Sequence, residues 1–145
     1  MPTRRRVLMA TLILCTAGCE LETFDSSYPT LADAVADNQV VKGWIPAWVP
    51  QSATNLKEVH NLDSNASALA FELPQNTALA LPPDCISITY QESVPTYFQR
   101  RWWPSEFELK AEYHFFRCRT DAAQYVFVGA KTDGSRALHW RTYAH

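Results

Sequence analysis

From Glu106 to Phe115 the chain alternates polar and apolar residues without a break. Phe107, Leu109, Ala111, Tyr113 and Phe115 fall on one side, and Glu106, Glu108, Lys110, Glu112 and His114 on the other. Successive side chains of a strand point to opposite faces, so this spacing predicts a half-buried strand with one wet face. Residues 123–131 and 136–143 read as two further strands. Thr132-Asp133-Gly134-Ser135 joins them, with the Asp-Gly pair that tight hairpin turns favour.

The upstream half is less regular. Thr30 reads as a helix N-cap with Asp33 three positions on, and Leu31, Ala34 and Val35 share one face of a short helix ending near Asn38. Val40 to Val49 is apolar but broken by Gly43 and Pro46, with Pro50 following, which excludes a helix. Residues 55–62 and 67–73 read as a hairpin around the turn residues Asp63-Ser64-Asn65. Residues 74–105 hold five prolines and no sustained period, so they read as an irregular connection with one short strand near 86–90. The expectation is an α+β domain: one N-terminal helix packed on an antiparallel sheet of about five strands, with one face covered.

The first residues carry an address. Arg4, Arg5 and Arg6 precede an apolar run from Val7 to Leu14, too short for a spanning helix, which needs about 20 apolar residues. The run closes on Thr16-Ala17-Gly18-Cys19, which resembles the lipobox of bacterial lipoprotein precursors, although Thr16 stands where that motif usually has a large aliphatic residue. The resemblance implies a signal peptide over 1–18, cleaved to leave a lipid-bearing Cys19 as the first residue. An ordinary secretory signal cut near Ala17, or an uncleaved anchor, is the alternative. The arginines fit general export and also brush against a twin-arginine signal. Residues 19–28 then read as the lipidated cysteine and an acidic tether, and 29–145 as a single domain. The implied location is the cell envelope, facing the periplasm. Glu20 is not the aspartate that commonly signals inner-membrane retention, so outer-membrane residence is the default.

Without residues 1–18 the chain has 127 residues, enough for one domain with a core and too few for two. Those residues hold 10 basic and 15 acidic side chains, a formal charge of −5, which disfavours nucleic acid as a partner. The charge is uneven: residues 20–98 carry 2 basic and 10 acidic side chains, residues 99–145 carry 8 and 5. If Cys19 carries lipid, Cys85 and Cys118 are left as a pair. In an oxidising compartment such a pair closes a disulfide; two buried free thiols are the alternative.

Motifs for chemistry are absent. No His-x-x-x-His or Cys-x-x-Cys marks a metal site, and His60, His114 and His139 read as unrelated surface residues. There is no Gly-x-Ser-x-Gly and no Ser-x-x-Lys. Only Gly43, Gly129 and Gly134 follow the leader, too few for a phosphate-cradling loop. No cofactor is expected. Glu106, Glu108 and Glu112 are candidate paired carboxylates, read more simply as a solvated strand face.

The stretch GWIPAWVPQSATNLKEVHNLDSNASALAFELP, residues 43–74, resembles small bacterial envelope lipoproteins. That resemblance supports the fold reading and implies no activity. The most suggestive segment is Tyr97-Phe98-Gln99-Arg100-Arg101-Trp102-Trp103-Pro104. Paired arginines beside paired tryptophans are the chemistry of binding hot spots, so Arg100, Arg101, Trp102 and Trp103 are the candidate partner-binding residues. Trp44 and Trp48 read as core. The functional expectation is a membrane-tethered, non-catalytic interaction or ligand-binding module for an envelope protein or glycan. A small hydrolase of cell-wall or glycan material is the alternative.

Overall fold

The structure, a computed structural model, describes residues 22–119 and 124–143. Cys19 and the expected signal peptide over residues 1–18 lie outside the described residues. Seven strands form one antiparallel sheet: β1 (Thr23–Thr30), β2 (Thr54–Asn61), β3 (Ser67–Glu72), β4 (Ile86–Ile88), β5 (Tyr113–Cys118), β6 (Gln124–Lys131) and β7 (Arg136–Tyr143). Their order across the sheet is β1-β2-β3-β7-β6-β5-β4, so an N-terminal meander and a C-terminal meander meet at β3 and β7. The expected single N-terminal helix on about five strands is therefore overturned: the fold is largely β. Among the described residues the α-helices are two short ones, α1 (Leu31–Ala36) between β1 and β2, and α2 (Glu106–Glu112) before β5.

Both faces of the central strands β2, β3 and β7 are covered. Alternation in β2, β3 and β7 sends Leu56, Leu69, Phe71 and Ala137 to one face, where Leu31, Ala34, Ile45 and Val49 from α1 and the following turns pack on them. Val59, Ala68, Ala70, Leu138 and Trp140 go to the other, beneath Phe98, Leu109 and the half-buried Trp102 and Trp103. A sheet buried on both faces reads as nearly continuous apolar sequence, as β3 does with five buried residues in succession.

Two elements depart from the sequence expectation. Thr23 to Tyr28, placed in a tether by their polarity, belong to β1, which runs alongside β2 from Thr23↔Asn61 to Thr30↔Thr54. Glu106–Glu112, expected as the start of a strand, is helical. Ser105 caps it, its hydroxyl accepting from the Glu108 amide while the Glu108 carboxylate accepts from the Ser105 amide at 2.8 Å. The cap satisfies amides that would otherwise lack partners and favours the helix over the alternation. Leu109 then packs inward while Phe107 is 80% exposed. The strand begins only at Tyr113.

Cys85 and Cys118 form a disulfide, tying the approach to β4 to the end of β5. Thr30 caps α1 through a reciprocal pair of bonds with Asp33. The β6–β7 turn closes on Gly134, whose φ of +73° needs the left-handed freedom of glycine.

Candidate functional site

The segment between β4 and α2 lies over the face formed by β5, β6 and β7, and a central tryptophan organises it. Trp140, on β7, donates from its indole nitrogen to the Val94 carbonyl at 2.7 Å. It stacks on Phe127 at 5.2 Å and meets Trp103 edge-on at 5.6 Å. Above it lies a half-open cleft of about 380 Å³, with Tyr90, Phe98, Trp103 and Trp140 among its walls and Arg100 and Glu106 among its polar residues. Rings of this kind supply flat apolar surface at small conformational cost, and a few polar groups at the margin fix orientation.

The four candidate binding residues separate in space and role. Arg100 reaches across to β1, donating from Nε and Nη2 to the two Asp25 oxygens at 2.7 and 3.0 Å. That paired geometry raises its pKa further and makes it a strap between the roof and the sheet. Arg101 is exposed. Trp102 is half-buried, and its carbonyl accepts from Arg136. Trp103 lines the cleft, and of the two tryptophans it alone does so.

The three candidate carboxylates are each engaged on α2. Glu106 pairs with Lys110 at 2.5 Å, Glu112 with Lys131 at 3.2 Å, and Glu108 caps the helix. They do not form a solvated strand face, because their segment is helical. Glu106 is the single carboxylate among the residues lining the cleft.

A second polar group lies on the opposite face of the sheet, and the sequence reading missed it. His60 and His139 are buried, not on the surface. Glu58 is fully buried on β2, with its two oxygens each 3.0 Å from His60 Nδ1. Trp44 stacks on the His60 ring at 4.0 Å, and Phe24 from β1 lies at 5.5 Å. Arg141 sits over Trp44 and donates to the Gly43 carbonyl at 2.8 Å and to Asn65 at 3.0 Å. Burial pushes the Glu58 carboxyl up to about 8, with Asp25 adding and Arg141 opposing. Burial likewise pushes His60 down. At neutral pH, then, Glu58 keeps its proton and shares a hydrogen bond with His60 Nδ1. The signal was present: Leu56, Glu58 and His60 alternate on one side of their strand, and Leu56 marks that side as buried.

Ser67 stands directly opposite His60 on β3, so the residue types of a serine–histidine–carboxylate relay are neighbours. Ser67 is fully buried and its hydroxyl has no hydrogen-bond partner, so His60 does not activate it. His139 Nδ1 is also buried and unpartnered, and burial pushes that ring down to about 3. These side chains are core. Among the described residues no cluster of histidine, cysteine and carboxylate groups is arranged to hold a metal ion.

Residues 22–72, about a third of the chain, match the family model of the YbbD head domain. No match is found among curated proteins or among solved structures. The matched segment spans β1 to β3 and holds Trp44, Glu58 and His60, while every residue lining the cleft, Trp103 included, lies beyond it. The likeness points to a bacterial envelope-type protein.

Proposed function

We propose that the protein is a non-catalytic ligand-binding module of the bacterial envelope, held at the membrane by lipid on Cys19. Its cleft beside Trp103 takes a glycan ligand by ring stacking. The carrying observation is the cleft itself: aromatic walls from Tyr90, Phe98, Trp103 and Trp140, with a polar margin. Sugar rings present an apolar face to such walls and hydroxyls to the margin. Hydrolysis of a glycosidic bond ordinarily needs two carboxylates flanking the bond. The cleft offers Glu106 alone, already paired with Lys110, and this favours binding over the hydrolase reading. The lipobox-like Thr16-Ala17-Gly18-Cys19 supports the anchor, and Glu20 after it supports outer-membrane residence facing the periplasm.

The test is a tryptophan-fluorescence titration with soluble peptidoglycan fragments, run on the wild type and on Trp103→Ala. Saturable binding by the wild type is expected, weakened tenfold or more, about 1.4 kcal/mol or above, in the variant. Thermal melts of both proteins guard against simple unfolding. Fragments that fail to bind the wild type, or that bind both proteins alike, overturn the glycan reading.

A further inference from the structure

Four of the seven large apolar side chains exposed among the described residues gather at one end of the sheet. Phe24 and Leu62 are 45% and 55% exposed, Tyr97 50% and Val41 85%. Phe24 lies near the start of β1, opposite His60, and Leu62 follows the end of β2, its amide donating to the Glu22 carbonyl at 2.9 Å. Tyr97 is bound to the same turn through its hydroxyl, 2.8 Å from Ser64. Val41 precedes the Gly43 carbonyl that Arg141 ties, through Asn65, to that turn as well. Scattered exposed apolar residues need no explanation, but a set collected on one rim does.

The chain enters at this rim. Cys19 precedes the first residue of β1 by four peptide steps, which reach at most about 14 Å when fully extended. A lipid on Cys19 would therefore hold the start of β1 and the neighbouring β2–β3 turn within about 14 Å of the bilayer.

We infer that Phe24, Val41, Leu62 and Tyr97 form a membrane-seating rim, inserted among phospholipid headgroups beside the anchor, so that the domain rests on the bilayer in a fixed orientation. This rests on the proposed lipidation of Cys19. Amphipathic aromatic and aliphatic side chains suit that depth. Charge does not do the seating, since Lys42 and Arg141 near the rim are balanced by Glu22 and Asp63. The contact is with the apolar and glycerol layer of a phospholipid surface, and added salt leaves it in place. The β6–β7 turn, at the opposite end of the ladder, faces away from the membrane.

The test uses the full protein purified from membranes, its intact mass read for lipid on Cys19, then placed in phosphatidylcholine vesicles. Nitroxide labels at Leu62→Cys, Val41→Cys and Thr132→Cys are read by electron paramagnetic resonance against oxygen and a water-soluble nickel complex. The labels at 62 and 41 are expected within about 10 Å of the headgroup–acyl boundary, favouring oxygen, at low and high salt alike. The label at 132 is expected in water. Lipid-bearing protein with the first two labels also in water overturns the rim and leaves the anchor standing. A mass without lipid on Cys19 overturns the anchor, and the rim with it. Two rim positions guard against one variant failing to fold.

Discussion

Glu58→Gln should make the protein's stability less sensitive to alkali. The folded chain holds the Glu58 proton to about pH 8, whereas the unfolded chain releases it near the ordinary 4.5. Between those values the folded state binds more protons, so stability falls as pH rises, by about 1.4 kcal/mol per unit. From pH 6 to pH 9 the slope acts over two units and then levels off, a loss of about 2–3 kcal/mol. His60 and His139 are both pushed down by burial, so their effect runs the other way and fades above their ordinary value of 6.5. They are present in both proteins, and the difference between the wild-type and Glu58→Gln profiles isolates the carboxyl. The glutamine keeps the volume and offers His60 Nδ1 an amide donor. Urea titrations at pH 6, 7, 8 and 9, followed by tryptophan fluorescence, supply the unfolding free energies. The wild type should lose about 2–3 kcal/mol more than the variant over this range. Parallel profiles would show that Glu58 is ionised in the fold, and the argument for a buried, protonated carboxyl would fall.

Reducing the Cys85–Cys118 bond should lower the unfolding free energy by about 3–4 kcal/mol, from the loop entropy of its 33-residue separation. Urea midpoints with and without reductant measure this, and coincident midpoints count against it. His139→Leu should raise stability at pH 5 by about 1–3 kcal/mol, because it removes a buried nitrogen that has no partner. The folded-state pKa of His139 is depressed to about 3, so its contribution is whole above pH 6.5 and is lost as pH falls towards 3. The wild type should therefore weaken on acidification faster than the variant; equal acid slopes in melts at pH 4, 5 and 6 would refute this.

The strands that were legible in the sequence are those whose turns and faces both left marks. The β2–β3 hairpin shows Asp63-Ser64-Asn65 between apolar runs, and the β6–β7 hairpin shows Asp133-Gly134. β1 left none: Thr-Phe-Asp-Ser-Ser-Tyr-Pro-Thr sits at the sheet edge, half-buried only at Ser26 and Tyr28, so it reads as solvated chain. α2 was misread because seven residues of chance alternation outweighed the Ser105–Glu108 cap in front of them. The first four inward-facing residues expected of that strand, Phe107, Leu109, Ala111 and Tyr113, do not share a face, since only the last belongs to a strand. The Arg100–Trp103 patch was visible as composition. Its division into a strap and a wall was not, because Asp25 and Trp140 lie far away in sequence and only the sheet order brings them close.

That order also governs how the chain can mature. β3 ends at Glu72, yet the neighbour that closes its free side, β7, begins only at Arg136. A chain synthesised from its N-terminus delivers β1, β2 and β3 well before β7 arrives. During that interval the nascent sheet presents a bare, apolar edge, the kind that recruits other chains and seeds aggregates. Closing that edge with β7 before another chain reaches it is thus a demand that the strand order places on folding.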